Sequence, residues 1–329
     1  MPALHEDLAP LISDMVDGMA EGCVVPFLGA GVNCCGRPEG FSWRPGANYL
    51  PAGAELSLHL AREGGYPSAE RTELTNLLRV SQYMATRKGG GPLRDALRRV
   101  LVADCKPTPV HRLFARLPKL LKAKKYGKDV HGFELLIVTT NYDDLLEQAF
   151  AEEQVAFDLL VYRSTAHDRG WFWHKPPDGP AIRIEKPNEY TGISLDVRPV
   201  IVKIHGGINR ENFADDSYVI TEDDYIDYLA GADLSNFVPA VVKSELVNSH
   251  FLFLGYSLQD WNLRVFLKKI WDEQQKFDYR SWAVQLSPHE VDQRLWHSRK
   301  VELIDLSLEE YVPMIERQLA ALPPAGTND

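Results

Sequence analysis

The sequence predicts an α/β, doubly wound fold, on three observations. Short apolar runs rich in Val, Ile and Phe recur along its 329 residues, longer segments of helical spacing lie between or after them, and several of the runs end abruptly in Gly, Asn, His or Ser. Continuous apolar runs mark parallel strands buried on both faces, with helices as the crossovers. Small and polar residues at strand ends sit where such sheets bind ligands.

Strands are expected at 24–28, 135–139, 200–204, 250–254, 282–286 and 301–304. Helices are expected at 8–19, 55–62, 70–86, 92–102, 110–121, 144–152, 237–247, 263–274, 288–298 and 308–322. This alternation gives a Rossmann-like parallel sheet. The helices across 54–124 arrive consecutively with no strand among them, so this segment is expected to form a helical insertion, a lid standing over the carboxyl edge of a sheet domain made of 1–53 and 125–329. A polar stretch at 163–198, containing WFWHKPPDG, breaks the pattern. It reads as a surface excursion with a small hairpin, in preference to a substrate-recognition arm. No internal repeat, heptad run or low-complexity tract interrupts the chain.

Composition narrows the function. Apolar residues make up 45% and charged residues 25%, the balance of a globular chain with a sizeable core. A net charge of −10 argues against a whole-protein grip on nucleic acid, which needs clustered Lys and Arg. The lysine-rich run LPKLLKAKKYGK at 117–128 reads first as the solvated end of a helix and second as a basic patch. Cys23, Cys34, Cys35 and Cys105 form no C-x-x-C pair, so no zinc or other metal is expected. The first residues carry acids where a secretory signal carries lysines, and no later run offers the roughly twenty apolar residues of a membrane span. A cytoplasmic protein with free thiols and no membrane contact is the expectation.

Four strand exits carry the chemistry. VVPFLGAGVN (24–33) runs into Gly29-Ala30-Gly31, where the backbone can approach a pyrophosphate with amides pointing at it, although a plain tight turn reads equally well. LLIVTTNYDDLLEQAF (135–150) ends a strand in Thr139, Thr140, Asn141 and Asp143, after which Asp144 caps a helix. Asn141 and Asp143 are ligand groups or simply turn and cap residues. VIVKIHGGIN (200–209) delivers His205 followed by two glycines, an imidazole unhindered by neighbours that can meet a ligand, although a lone histidine after a strand more often reads as structural. HFLFLGYSLQDWNLRVFL (250–267) places Gly255, Ser257 and Asp260 before another helix.

Taken together, GAGVN, TTNYD, KIHG and LGYSLQD resemble, in order and approximate spacing, the nucleotide-binding motifs of sirtuins, and most closely the sirtuin-like domains of bacterial antiphage defence proteins. The likeness runs from about Val24 to Leu286, and SYVITEDDYIDYL at 217–229 also resembles the defence-type branch. It implies NAD+ as the bound substrate. Gly29, Ala30 and Gly31 then contact its diphosphate, Asn141 and Asp143 face the nicotinamide ribose and carboxamide, His205 matches the active-site histidine, and Gly255 and Ser257 line the adenosine side. Asn33 and Thr140 join the cofactor-binding set. Two departures count against protein deacylation: the zinc module's cysteine pairs are missing, and the glutamine before the asparagine is Thr140. Whether Phe41-Ser42-Trp43-Arg44 replaces the family's Phe-x-x-Arg loop stays open.

What the resemblance then implies is an NAD+ glycohydrolase yielding ADP-ribose and nicotinamide, the latent effector of an antiphage system that depletes cellular NAD+. The alternatives are an NAD+-dependent deacylase or ADP-ribosyltransferase, and a non-catalytic NAD+ or ADP-ribose sensor. The family likeness also implies a homo-oligomer and a separately encoded activator, Argonaute-like or a hexameric helicase, with no direct nucleic-acid contact.

Overall fold

The apolar runs at the centre of the sheet become strands buried on both faces, whereas the edge run Val301–Asp305 is buried only at Val301 and Ile304. The computed structural model describes residues 8–124, 135–164, 168–231, 238–256, 261–274 and 279–324. Its strands are β1 (Val24–Leu28), β2 (Leu136–Thr139), β3 (Asp158–Arg163), β4 (Trp171–Lys175), β5 (Ile182–Arg183), β6 (Val200–Lys203), β7 (Gly206–Gly207), β8 (Ser217–Tyr218), β9 (His250–Leu254), β10 (Ser281–Gln285) and β11 (Val301–Asp305). Nine of them form one sheet in the order β11-β10-β9-β1-β2-β6-β3-β4-β5, and β7 pairs with β8. From β11 to β3 every pairing is parallel. The first half of the chain winds outward from β1 through β2 and the second half winds the other way from β9. The switch between the two halves therefore falls between β1 and β9.

The helices are α1 (Ala9–Ala20), α2 (Gly53–Gly64), α3 (Arg71–Leu74), α4 (Leu77–Lys88), α5 (Gly90–Leu101), α6 (Pro109–Ala123), α7 (Leu145–Glu152), α8 (Glu222–Gly231), α9 (Ala240–Val247), α10 (Trp261–Gln274), α11 (Glu290–His297) and α12 (Leu308–Ala321). On one face of the sheet Met15, Phe114, Phe150 and Tyr311 bring α1, α6, α7 and α12 into a common core. On the other, Tyr228, Val242, Phe266 and Trp296 do the same for α8 to α11. Helices α2, α4 and α5 enclose a third core of Leu56, Leu60, Val80, Met84 and Leu97, which closes onto Tyr218 and Ile220.

Three differences from the sequence reading have physical reasons. The stretch after residue 158 is built into the sheet: β3 pairs in parallel with β6, then β4 and β5 follow antiparallel. The small hairpin is present, but Tyr162 and Phe172 are buried with ring centroids 5.7 Å apart, so it extends the core instead of standing on the surface. The expected helix at 70–86 divides at Asn76, whose side chain accepts from Arg79 N and starts α4 afresh. Helix α8 was not expected, because its opening Glu222-Asp223-Asp224 looks like a loop, yet acids in a first turn favour the helix dipole.

The described part of the lysine run is a helix end. Lys119 donates to Glu153 O and Lys124 to Ala320 O, so both serve as bridges to neighbouring helix termini. The last lysines of the run, Ser257 and Asp260 lie outside the described residues.

Candidate active site

At the carboxyl edge of the sheet the exits of β1, β2, β6 and β9 meet around one cavity of about 430 Å³. Ala30, Gly31, Asn33, Thr140, Asn141, Asp143, His205 and Gly255 all line it. Gly29 stands directly behind, its carbonyl accepting from Asn141 Nδ2 at 3.2 Å. The four motifs thus converge on a single space at the sheet's switch point.

The glycines of the first exit are dictated by backbone against backbone. Gly29 N donates to Leu254 O at 2.9 Å and Gly31 N to Gly255 O at 2.8 Å. A Cβ on Gly31 would lie 2.8 Å from Gly255 Cα, and one on Gly255, whose φ is +71°, 2.3 Å from Val32 N. Two of the three amides expected to face a ligand are therefore engaged by the neighbouring strand exit.

The second exit is held equally firmly. Thr139 Oγ1 donates to Leu28 O at 2.7 Å and accepts from Asn141 N at 3.0 Å. Asn141 Nδ2 faces a carbonyl, which only accepts, so the side chain is fixed with Oδ1 turned away and without a donor among the described residues. Asp143 Oδ2 accepts from Asn33 Nδ2 at 2.9 Å, which fixes Asn33 in the same way and leaves its Oδ1 without a donor. A buried acceptor left unmet costs about 1–3 kcal/mol, so two beside one cavity mark it as a place for donors from outside.

Asp143 also accepts from Leu145 N at 3.1 Å and so satisfies the first amide of α7 from outside the helix. Asp144 itself sits at the N-cap position without a side-chain cap bond and pairs with Arg210 at 2.9 Å. Beneath the turn, the fully buried Lys203 on β6 donates to Asp143 O and pairs with Glu147 Oε1 at 2.7 Å. Burial raises the Glu147 carboxyl above its ordinary range, against the pull of Lys203.

His205 is 3% exposed and its ring packs edge-on against Tyr225 and Tyr228 at 5.2 and 5.4 Å. Its Nδ1 lies 3.3 Å from Tyr225 Oη. The cavity's outer wall comes from the segment Leu50 to Ala54 and from Leu56, Leu77 and Leu101 of the helices above it. Glu55 secures that wall, accepting from Ala52 N, Trp43 N and Arg37. Burial opposes its ionisation, yet these bonds hold its carboxyl below the usual range. Phe41 packs on Tyr49 and Trp43 donates to Tyr49 O, and neither lines the cavity.

A second cavity of about 360 Å³ lies across the switch point, over the ends of β10 and β11. It shares Gly31, Gly255 and Tyr256 with the first. Its wall includes Gln285, whose Oε1 has no donor among the described residues, and Cys34 and Cys35. Burial pushes both thiols up, that of Cys35 to about 12, so they stay protonated and poorly nucleophilic at neutral pH.

Sequence reasoning did not single out Tyr225 or the Leu50–Ala54 wall, which lack a strand-exit signature, or Tyr256, which stands in the LGYSLQD exit but is an aromatic among its small and polar residues. Ser257, assigned to the adenosine side, lies outside the described residues. No helix among the described residues is long and apolar enough to cross a membrane.

A family model described as a SIR2-like domain matches residues 135–304, just over half of the chain. NAD(+) hydrolase ThsA of Acinetobacter baumannii (strain 532279) is 26% identical over 265 residues, 79% of this chain and 42% of that protein. The protein of the same name from Enterococcus faecium is 26% identical over 269 residues, 80% of this chain and 43% of its own. Defense-associated sirtuin 2 of Bacillus subtilis is 22% identical over 291 residues, covering 88% of this chain and 23% of that protein. The chain spans less than half the length of these relatives.

Proposed function

The chain belongs to the SIR2-like domain family, and from that premise we propose that it is an NAD+ glycohydrolase that releases nicotinamide and ADP-ribose. The observation that carries this reading is the meeting of Asn141 and His205 on one cavity, with a second cavity across the Gly31–Gly255 contact. Two compartments joined at a glycine-lined rim suit a dinucleotide, with nicotinamide and its ribose in the first and adenosine in the second. The names of the ThsA relatives support the reaction.

The scissile bond asks little of the protein. Its leaving group is a positively charged pyridinium that departs as a neutral base, so no general acid is required. The site holds the ribose, stabilises an oxocarbenium-like transition state and admits one water to C1′. In this reading Asn141 Oδ1 accepts from a ribose hydroxyl or the water, and His205 takes a proton from a ribose hydroxyl or from the water, never the one hydrogen that Asn141 already holds. Asp143 acts through Asn33, presenting that amide's oxygen to the substrate, and does not orient Asn141. Gly29, Ala30 and Gly31 let the diphosphate approach, with Thr140 beside it, and Gly255 and Ser257 border the adenosine.

Free hydrolysis would empty the host's own NAD+ pool. We therefore propose a cytoplasmic effector, oligomeric and latent until a separate sensor protein engages it, in defence against phage. The name of the Bacillus subtilis relative supports the defence role. Helices α2 to α5 serve as the lid over the nicotinamide half.

The reaction is tested by incubating the protein with NAD+ and quantifying nicotinamide, with and without a candidate sensor. Asn141→Ala and His205→Ala are expected to reduce release by at least about a hundredfold while circular dichroism stays that of the parent. Full turnover by both variants would overturn the mechanism.

A further inference from the structure

We propose that Tyr256 is a strap across the switch point, penalising any ligand that fills both cavities relative to one that fills a single cavity. The inference rests on the NAD+ reading above. Tyr256 leaves β9 beside Gly255, and Thr140, which leaves β2, donates to its hydroxyl at 3.2 Å. Strand β1 lies between β9 and β2, so the tyrosine side chain spans the exit of β1. A Cβ built on Gly29 would fall 2.9 Å from Tyr256 Cδ1 and 3.0 Å from Cγ, which puts the ring directly against the first residue of the glycine loop. Tyr256 also forms part of the wall of each cavity.

A diphosphate joining a ribose beside Asn141 to an adenosine in the second cavity has to pass where Gly31, Gly255 and Tyr256 form the shared wall. Gly31 and Gly255 are locked backbone to backbone and have no side chain to withdraw. Tyr256 is the member with rotatable side-chain bonds, and the hydroxyl pair with Thr140 is part of what holds it in place. A spanning ligand has to break that pair. A mononucleotide seated in the second cavity leaves it intact.

Tyr256→Phe keeps the ring and removes the hydroxyl. Calorimetry with ADP-ribose, which spans both cavities, and AMP, which fills one, separates the two effects. The variant is expected to bind ADP-ribose about fivefold more tightly than the parent, the equilibrium worth of one net hydrogen bond. The KM for NAD+ should fall in proportion, with AMP affinity unchanged. Weaker binding of ADP-ribose would make the hydroxyl a ligand contact, and an equal shift for both nucleotides a general distortion; either result overturns the strap. If the parent cleaves NAD+ and Tyr256→Phe binds ADP-ribose no better, the strap falls while the hydrolase reading stands. If neither protein binds ADP-ribose nor cleaves NAD+, both fall.

Discussion

His111 illustrates how a single buried side chain ties the site to the acid limit of the fold. It is 1% exposed, and its Nδ1 accepts from Thr108 N at 3.0 Å, which requires the neutral ring with its proton on Nε2. Burial lowers its pKa to about 4; the Asp143 carboxylate pulls the other way, and Arg112 and Lys203 add to the lowering. Between about pH 6.5 and pH 4 the unfolded chain carries that proton and the folded chain does not. Stability from this group is therefore full above 6.5 and is lost as pH falls through the window, by up to about 3 kcal/mol. Urea unfolding at pH 7 and pH 4.5 checks this. His111→Gln should lose about 2–3 kcal/mol less than the parent between the two. Glu147, with its opposite shift, is present in both proteins and cancels. Equal losses would refute the assignment. In sequence His111 looks like any residue of an amphipathic helix, because its partners lie at Thr108 and across the fold. Asn141 and His205 were legible for the opposite reason: each follows the end of a mostly apolar strand, where a run of polar and glycine residues marks the exit from the core. The Asn33–Asp143 bond joins residues 110 apart, and no local pattern encodes it.

At the scale of elements, the exits of β1 and β9 are a backbone contact that tolerates no methyl group. Gly255→Ala places a Cβ 2.3 Å from Val32 N at a φ of +71°, and Gly31→Ala meets Gly255 O at 2.7 Å. Neither obstacle is a flexible side-chain end, so both variants should lower the melting temperature by about 5 °C or more. Gly53→Ala, at the start of α2 with nothing within 4 Å, should leave it unchanged or slightly raised. Differential scanning fluorimetry of the three compares them directly, and an unchanged melting temperature for Gly255→Ala would show that the two exits are not in close backbone contact. The central strands were readable because VVPFL, LLIVT and HFLFL are almost wholly apolar, the consequence of burial on both sides. Strands β3 and β4 escaped because their burial alternates and WFWHK mixes aromatic with basic residues. Such a stretch looks like an exposed loop until a partner strand is known, since packing against neighbours decides strand character more than local propensity does.

Across the whole molecule, the two cores flanking the sheet and the helical core above it differ in how they are joined. The sheet cores are continuous with β1, β2 and β9, whereas the third core meets the body through Tyr218, Ile220 and a set of polar ties. Arg98 pairs with the fully buried Asp216 at 2.7 Å, Arg210 donates to Val102 O, and Gln82 donates to Asp223. Polar ties give up little when water replaces them, while an apolar core gives up its whole transfer free energy, so the helical unit is placed to open before the sheet does. Leu97, buried at the centre of the helical core, reports on this. Leu97→Ala should cost about 2–5 kcal/mol. In hydrogen exchange the loss should appear as faster exchange across 53–101 and 217–220, with the amides of β1, β2 and β9 unchanged. ADP-ribose should increase protection of the same segment in the parent, because Leu56, Leu77 and Leu101 wall the nicotinamide cavity. Uniform acceleration through the sheet would mean that lid and body unfold as one unit, and that substrate enters by a path other than lifting these helices.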